Sequence, residues 1–210
     1  MKAAIFDLDG TILDSMDNWR NMIEELYQAL ELQLTKEDME ELEKISLRQK
    51  AQYIACNCIK GVTAEDVLNK AYDIMSEKYR KEVIPIKGAE EYLKKLYHQN
   101  IPMGIATLTN GKMATNALEN HGLLKYFNFV LSADEIGKGK REPDIFLEAA
   151  RRLGNLPEDT MVFEDSLFAI HTANKAGFPL CAVTGAASSQ EKEEMEGLCR
   201  ICIKDFSELL

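Results

Sequence analysis

The chain of 210 residues lacks several features that would point quickly to a function. It has no surplus of positive charge: 35 acidic residues stand against 25 lysines and arginines, a formal net charge of −10. Nucleic acid and anionic membrane surfaces both select basic protein, so neither is an expected partner. It has no apolar run of membrane-spanning length, and its first residues read as a strand rather than a charged segment leading into an apolar leader. The expected location is therefore the cytoplasm. Its cysteines lack a metal-ligand pattern. The five are an odd number; Cys56 and Cys58 are one residue apart, and Cys199 and Cys202 form a lone Cys-x-x-Cys with no histidine or second pair near it at zinc spacing. They read as small buried apolar residues of a reducing compartment. Internal repeats and low-complexity tracts are absent too. What remains is a globular chain whose 46% apolar content suffices for a core.

The stretch that organises the chain is Phe6-Asp7-Leu8-Asp9-Gly10-Thr11. The run Ala3-Ala4-Ile5-Phe6 reads as a buried strand and Gly10 as its exit. Two aspartates one residue apart at a strand end repel each other, and they call for a cation or a shared proton. Asp-Gly is also a common turn pair, so on these residues alone a plain hairpin is the favoured reading.

Residues 16–84 show four helical patterns and no strand. Residues 17–30 carry Trp19, Ile23, Leu26, Tyr27 and Leu30 on one face. Thr35 with Asp38 starts a second helix through Lys44, Ser46 with Gln49 a third, and Thr63 with Asp66 a fourth running to about Arg80. From Val83 the pattern changes, with Pro85 and Gly88 at the junction. Strands at 103–107, 127–131, 161–163, 180–183 and 200–203 alternate with helices at 89–99, 112–121, 143–153 and 167–176. Such alternation predicts an α/β fold, a doubly wound parallel sheet covered on both faces. The expected division is a core of residues 1–15 and 85–210 with an inserted all-helical module at 16–84.

Ligands of such sheets bind beyond the carboxyl ends of the strands. There the sequence places Asp7 and Asp9, then Thr107, then Glu164 and Asp165, with Gly137-Lys138-Gly139-Lys140 before the helix that opens at Pro143. Carboxylates suit a hard cation such as Mg2+, a hydroxyl and an ammonium suit phosphate oxygens, and a carboxylate is itself a nucleophile toward phosphorus. Each has a plain alternative: Thr107 as a branched strand residue, Glu164-Asp165-Ser166 as a helix start, Lys138 and Lys140 as a solvated loop. Their joint fall at the strand ends of one sheet favours a site.

These segments resemble the haloacid dehalogenase superfamily, in particular its branch of small phosphatases and beta-phosphoglucomutase with a helical cap. The match runs in family order through Phe6-Asp7-Leu8-Asp9-Gly10-Thr11-Ile12-Leu13-Asp14-Ser15, Ile105-Ala106-Thr107, Gly139-Lys140 with Pro143-Asp144-Ile145-Phe146, and Val162-Phe163-Glu164-Asp165-Ser166. The resemblance implies a Rossmann-like core with residues 16–84 as cap. It makes Asp7 the nucleophile and Asp9 the general acid and base. Thr107 and Lys140 would hold the phosphoryl group, and Asp7, Asp9, Glu164 and Asp165 would surround Mg2+. Arg141 and Glu142 fill a gap where the family often has Pro-x, and Lys140 is preferred over Lys138 because it keeps the spacing to Pro143. Ala169 stands where a glycine is frequent. A dehalogenase proper lacks the second aspartate, so Asp9 favours phosphoryl transfer. Beta-phosphoglucomutases carry a histidine five residues after the motif's final aspartate; counting from Asp14 reaches Trp19, whose indole donates one hydrogen bond and exchanges no proton near neutral pH. The expectation is a magnesium-dependent phosphatase acting on a small phosphorylated metabolite as a monomer. A sugar phosphomutase is the alternative, and a receiver-like phosphorylation switch a third reading that the chain's length disfavours. In the cap, Trp19 and Arg48 are candidate substrate contacts, or equally cap core and solvated surface.

Overall fold

The structure is a computed structural model and describes residues 1–43 and 47–210. Strand β1 (Ala3–Phe6) is buried along its whole length, as an unbroken apolar run requires when both faces of a parallel sheet are covered. A short antiparallel pair, β2 (Leu13–Asp14) with β3 (Ile84–Pro85), stands apart from the main sheet. The sheet itself adds β4 (Met103–Thr107), β5 (Phe129–Ser132), β6 (Thr160–Glu164), β7 (Leu180–Val183) and β8 (Ile201–Ile203) in the order β5-β4-β1-β6-β7-β8, all parallel. The chain travels from β1 outward to β4 and β5, then returns to β6 on the opposite side. The order thus reverses at β1, whose carboxyl end opens onto the crevice where such sheets bind ligands.

Alternation along β1 sends neighbouring side chains to opposite faces. Phe6 stacks on Phe163 with ring centroids 4.3 Å apart, beside Phe206 and Tyr92 of helix α5 (Ala89–His98). Ile5 and Val162 face the other way, into a cluster with Ile145, Phe146, Ile170 and Met195. Those residues come from α8 (Asp144–Arg152), α9 (Leu167–Lys175) and α10 (Ser189–Leu198), while α6 (Gly111–Asn120) packs near β5 and α7 (Ala133–Ile136) follows it. Each buried aromatic contributes roughly 1.5–3 kcal/mol. Gly104 on β4 is required by packing: a Cβ there would lie 2.4 Å from the Phe129 ring.

The chain divides into two compact units, Met1–Ser15 with Val83–Leu210, and Met16–Glu82. The second contains α1 (Met16–Ala29), α2 (Lys36–Glu43), α3 (Leu47–Tyr53), a π-helical turn at Ile54–Cys58 and α4 (Ala64–Lys81). Met22 and Leu26 of α1 and Ala71 and Met75 of α4 are buried where the two helices pack. The caps expected at Thr35–Asp38 and Thr63–Asp66 are both formed. The helix end expected at Lys44 and the start at Ser46 lie outside the described residues.

Several elements go beyond the sequence pattern. β2 and β3 are two residues each, too short to carry a period. Helices α7 and α10 are two more; Ser132 with Glu135 and Ser188 with Glu191 cap them reciprocally, signals present in the sequence. Of the five cysteines, all free, only Cys181 is buried as expected; Cys58, Cys199 and Cys202 are half-buried and Cys56 is exposed. Among the described residues no helix is long and apolar enough to cross a membrane.

Candidate active site

Asp7 follows β1 directly, and its N–H still bonds the Phe163 carbonyl at 2.9 Å, so the aspartate is fixed by the ladder to β6. After it the chain turns sharply. Gly10 adopts φ 81°, a conformation that favours glycine, and the amides of Ile12 and Leu13 both bond the Leu8 carbonyl. This turn brings Ser15 back to Asp9, its hydroxyl donating to Oδ1 at 2.5 Å. From the end of β4, Thr109 donates its hydroxyl to Oδ2 of the same carboxylate at 2.6 Å.

Glu164, the last residue of β6, is fully buried. Its Oε2 accepts the backbone amides of Asp165 and Ser166, both at 2.9 Å, which ties the side chain to the loop before α9. Its Oε1 accepts from Lys140 Nζ at 2.5 Å, and the same ammonium donates to Asp7 Oδ1. Lys138, the other lysine of that loop, pairs instead with Asp144 at the surface. The structure therefore brings together Asp7, Lys140, Glu164 and Asp165, with Asp9 beside them. Thr107 is buried at the end of β4, where its Oγ1 accepts the Thr109 amide at 3.0 Å.

One oxygen each from Asp7, Glu164 and Asp165 lie within 4.8 Å of one another. Three carboxylates against one ammonium leave a surplus of negative charge. Burial pushes the Asp7 carboxyl well above the usual carboxylate range; Lys140 opposes this, and Glu164, Asp165 and Asp9 add to it. Burial, then Glu164, pushes Asp165 up to about 7. Burial alone would lower Lys140, but Asp7 and Glu164 outweigh it and hold the ammonium protonated. An all-oxygen donor set with surplus charge fits a hard divalent cation. Glu164 already accepts hydrogen bonds at both oxygens, so Asp7 and Asp165 have the freer lone pairs.

In the helical unit, Trp19 is half-buried and its indole N–H donates to the Tyr79 hydroxyl at 3.2 Å. Arg48 is exposed on α3. Ser15 and Thr109 are the site residues that the sequence pattern does not single out. A hydroxyl in a loop has no periodicity to betray it, although Thr109 stands only two residues past Thr107.

The fold is a doubly wound α/β sheet whose carboxyl edge carries a carboxylate cluster held by one lysine. The family model described as haloacid dehalogenase-like hydrolase matches residues 4–183, and the chain belongs to that family. It is similar to the fructose-1-phosphate phosphatase of Escherichia coli, 30% identical over 173 residues that cover 82% of this chain and 91% of that protein. It is also similar to the beta-phosphoglucomutase of Bacillus subtilis, 27% identical over 84% of this chain and 80% of the relative. A crystal structure of CbbY from Rhodobacter sphaeroides in complex with xylulose-(1,5)bisphosphate shares the fold, with a TM-score of 0.83 over 100% of this chain and 96% of that one at 20% identity.

Proposed function

We propose that this protein is a magnesium-dependent phosphatase that hydrolyses a small phosphomonoester through an aspartyl phosphate on Asp7. The observation that carries this reading is the buried Asp7–Lys140–Glu164 arrangement with a second, hydroxyl-held carboxylate, Asp9, two residues from the first. A carboxylate oxygen of Asp7 attacks phosphorus while the bond to the leaving oxygen breaks, and Asp9 gives that oxygen its proton. Asp9, now a carboxylate, takes a proton from water as the water oxygen attacks phosphorus. The bond to Asp7 then breaks, and phosphate leaves with Asp7 restored. Lys140 offsets charge on the phosphoryl oxygens, and Thr107, whose hydroxyl accepts from the chain and keeps its own proton, donates to them. Asp7 and Asp165, with Glu164 beside them, would hold Mg2+, which would supply further positive charge against a dianionic substrate.

The helical unit is the cap of this reading. Trp19, whose N–H donates to the Tyr79 hydroxyl, and Arg48, exposed on α3, are its candidate substrate contacts. Hydrolysis is preferred to sugar-phosphate isomerisation because Trp19 offers no exchangeable proton where the mutases resembled carry histidine. The relative named as a fructose-1-phosphate phosphatase supports the same choice.

The test is a magnesium-supplemented screen of phosphorylated metabolites that reads both free phosphate and isomerised product. Asp7→Asn is expected to release no phosphate while keeping its circular dichroism spectrum, and chelation of divalent metal is expected to stop turnover until Mg2+ is restored. Full turnover by Asp7→Asn, or without metal, refutes the mechanism. Interconversion of hexose phosphates with little free phosphate shows a mutase instead.

A further inference from the structure

The turn after β4 divides two threonines between two tasks. Thr107 Oγ1 accepts the Thr109 amide at 3.0 Å, closing a side-chain turn across Leu108. Leu108 is left at the tip, 51% exposed, while Thr109 turns inward and is only 6% exposed. From there Thr109 Oγ1 reaches Asp9 Oδ2 at 2.6 Å, across 100 positions of chain. A threonine hydroxyl carries one proton. Thr109 directs its proton at Asp9, so it has none for a phosphoryl oxygen. Ser15 holds the other oxygen of the same carboxylate. With a donor on each oxygen, Asp9 cannot rotate about its Cβ–Cγ bond without losing a hydrogen bond.

The geometry points to Thr109 as a positioning residue for the acid–base step, acting through Asp9 and apart from the phosphate-binding role of Thr107. This rests on the reading of Asp9 given above. A merely structural threonine would affect stability or both chemical steps alike. A positioning threonine affects the steps in which Asp9 moves a proton and spares the step that needs none.

The test uses the full-length enzyme with Mg2+ and two substrates. One is p-nitrophenyl phosphate, whose leaving group departs without a proton; the other is a sugar phosphate that the wild type hydrolyses, whose alkoxide requires one. Thr109→Val keeps the side-chain shape and removes the donor. It is expected to lower kcat on the sugar phosphate about tenfold, the loss of roughly one hydrogen bond in the transition state, with KM unchanged. Single-turnover release of nitrophenolate, which reports attack by Asp7, is expected at the wild-type rate, followed by slowed release of phosphate. Thr109→Ser, which returns the hydroxyl, is expected to restore kcat. Four results overturn the inference: an unchanged kcat, a raised KM in its place, an equal loss in the nitrophenolate step, or a Thr109→Ser as impaired as Thr109→Val. Should Thr109→Val fail to fold by circular dichroism, Thr109→Ala against Thr109→Ser makes the same comparison. Asp9→Ala, run alongside, separates the two failures. If it keeps full turnover, the acid–base reading itself is wrong and this inference falls with it. If it is inactive while Thr109→Val is fully active, only the role of Thr109 is wrong.

Discussion

Lys78 in the helical unit and Lys140 at the carboxyl edge of the sheet are about equally buried, 5% and 2% exposed, yet they do different things. Lys78 Nζ pairs with Glu25 at 2.6 Å and Glu82 at 3.6 Å, whose side chains are 48% and 55% exposed. Water reaches both carboxylates and screens them, so the pairing is worth about 1 kcal/mol or less and serves to hold α1 against α4. The partners of Lys140, Asp7 and Glu164, are sealed with it, at 9% and 1% exposure. There the charges act on one another unscreened, and a third acid, Asp165, leaves the group short of positive charge. Burial of a lysine leaves its charge unscreened only when its carboxylates are buried too, and leaves the group unbalanced only when they outnumber it.

The sharpest way to break this contrast is Lys140→Met, which keeps the stem and deletes the charge. The expected loss in kcat is on the order of 10³-fold, the scale for removing one donor from a developing phosphoryl charge. It also leaves Asp7, Glu164 and Asp165 facing each other, so the variant is expected to melt lower, and by more at pH 8 than at pH 5. A melting temperature independent of pH would show that the three acids do not repel.

The next effect concerns the wild type without metal. Asp165, pushed up to about 7 in the folded protein, titrates near 3.9 when unfolded, and Asp7 moves in the same direction. Between those values the native form holds more protons than the unfolded one. Stability is therefore expected to fall as pH rises through the window from about 4 to 7, the reverse of a salt-bridged carboxylate. Added Mg2+ is expected to flatten that fall by supplying the missing charge, as thermal melts across the range with and without the ion will read. A fall of equal depth in both buffers would count against metal binding by these acids.

The smallest effect belongs to Lys78→Met. Its glutamates remain solvated, so stability is expected to change by about 1 kcal/mol or less and kcat not at all. A destabilisation as large as that of Lys140→Met would erase the distinction between the two lysines.

Much of the site is legible in the amino-acid sequence. Asp7, Asp9, Glu164 and Asp165 each follow an apolar run that reads as a buried strand, so their edge of the sheet follows from pattern, while their roles rest on the resemblance. The choice of Lys140 over Lys138 rests on spacing to Pro143, and the fold adds a reason: Lys138 finds Asp144 six residues on, while Lys140 turns inward. Ser15 and Thr109 are not legible as holders of Asp9. Nothing in the local chain distinguishes a loop hydroxyl that reaches a carboxylate from one that reaches water.

Local pattern sets the alternation of strands and helices, the helical run at 16–84 and the acids at the strand ends. Periodicity, capping pairs such as Thr63–Asp66 and turn glycines such as Gly10 act within a few residues, so their signals are local. Only the tertiary fold seals Lys140 between Asp7 and Glu164 and brings Thr109 to Asp9. Those contacts join residues 133, 24 and 100 positions apart. They exist because strand register sets β1 between β4 and β6 and lays their ends side by side, a distance that no local pattern encodes.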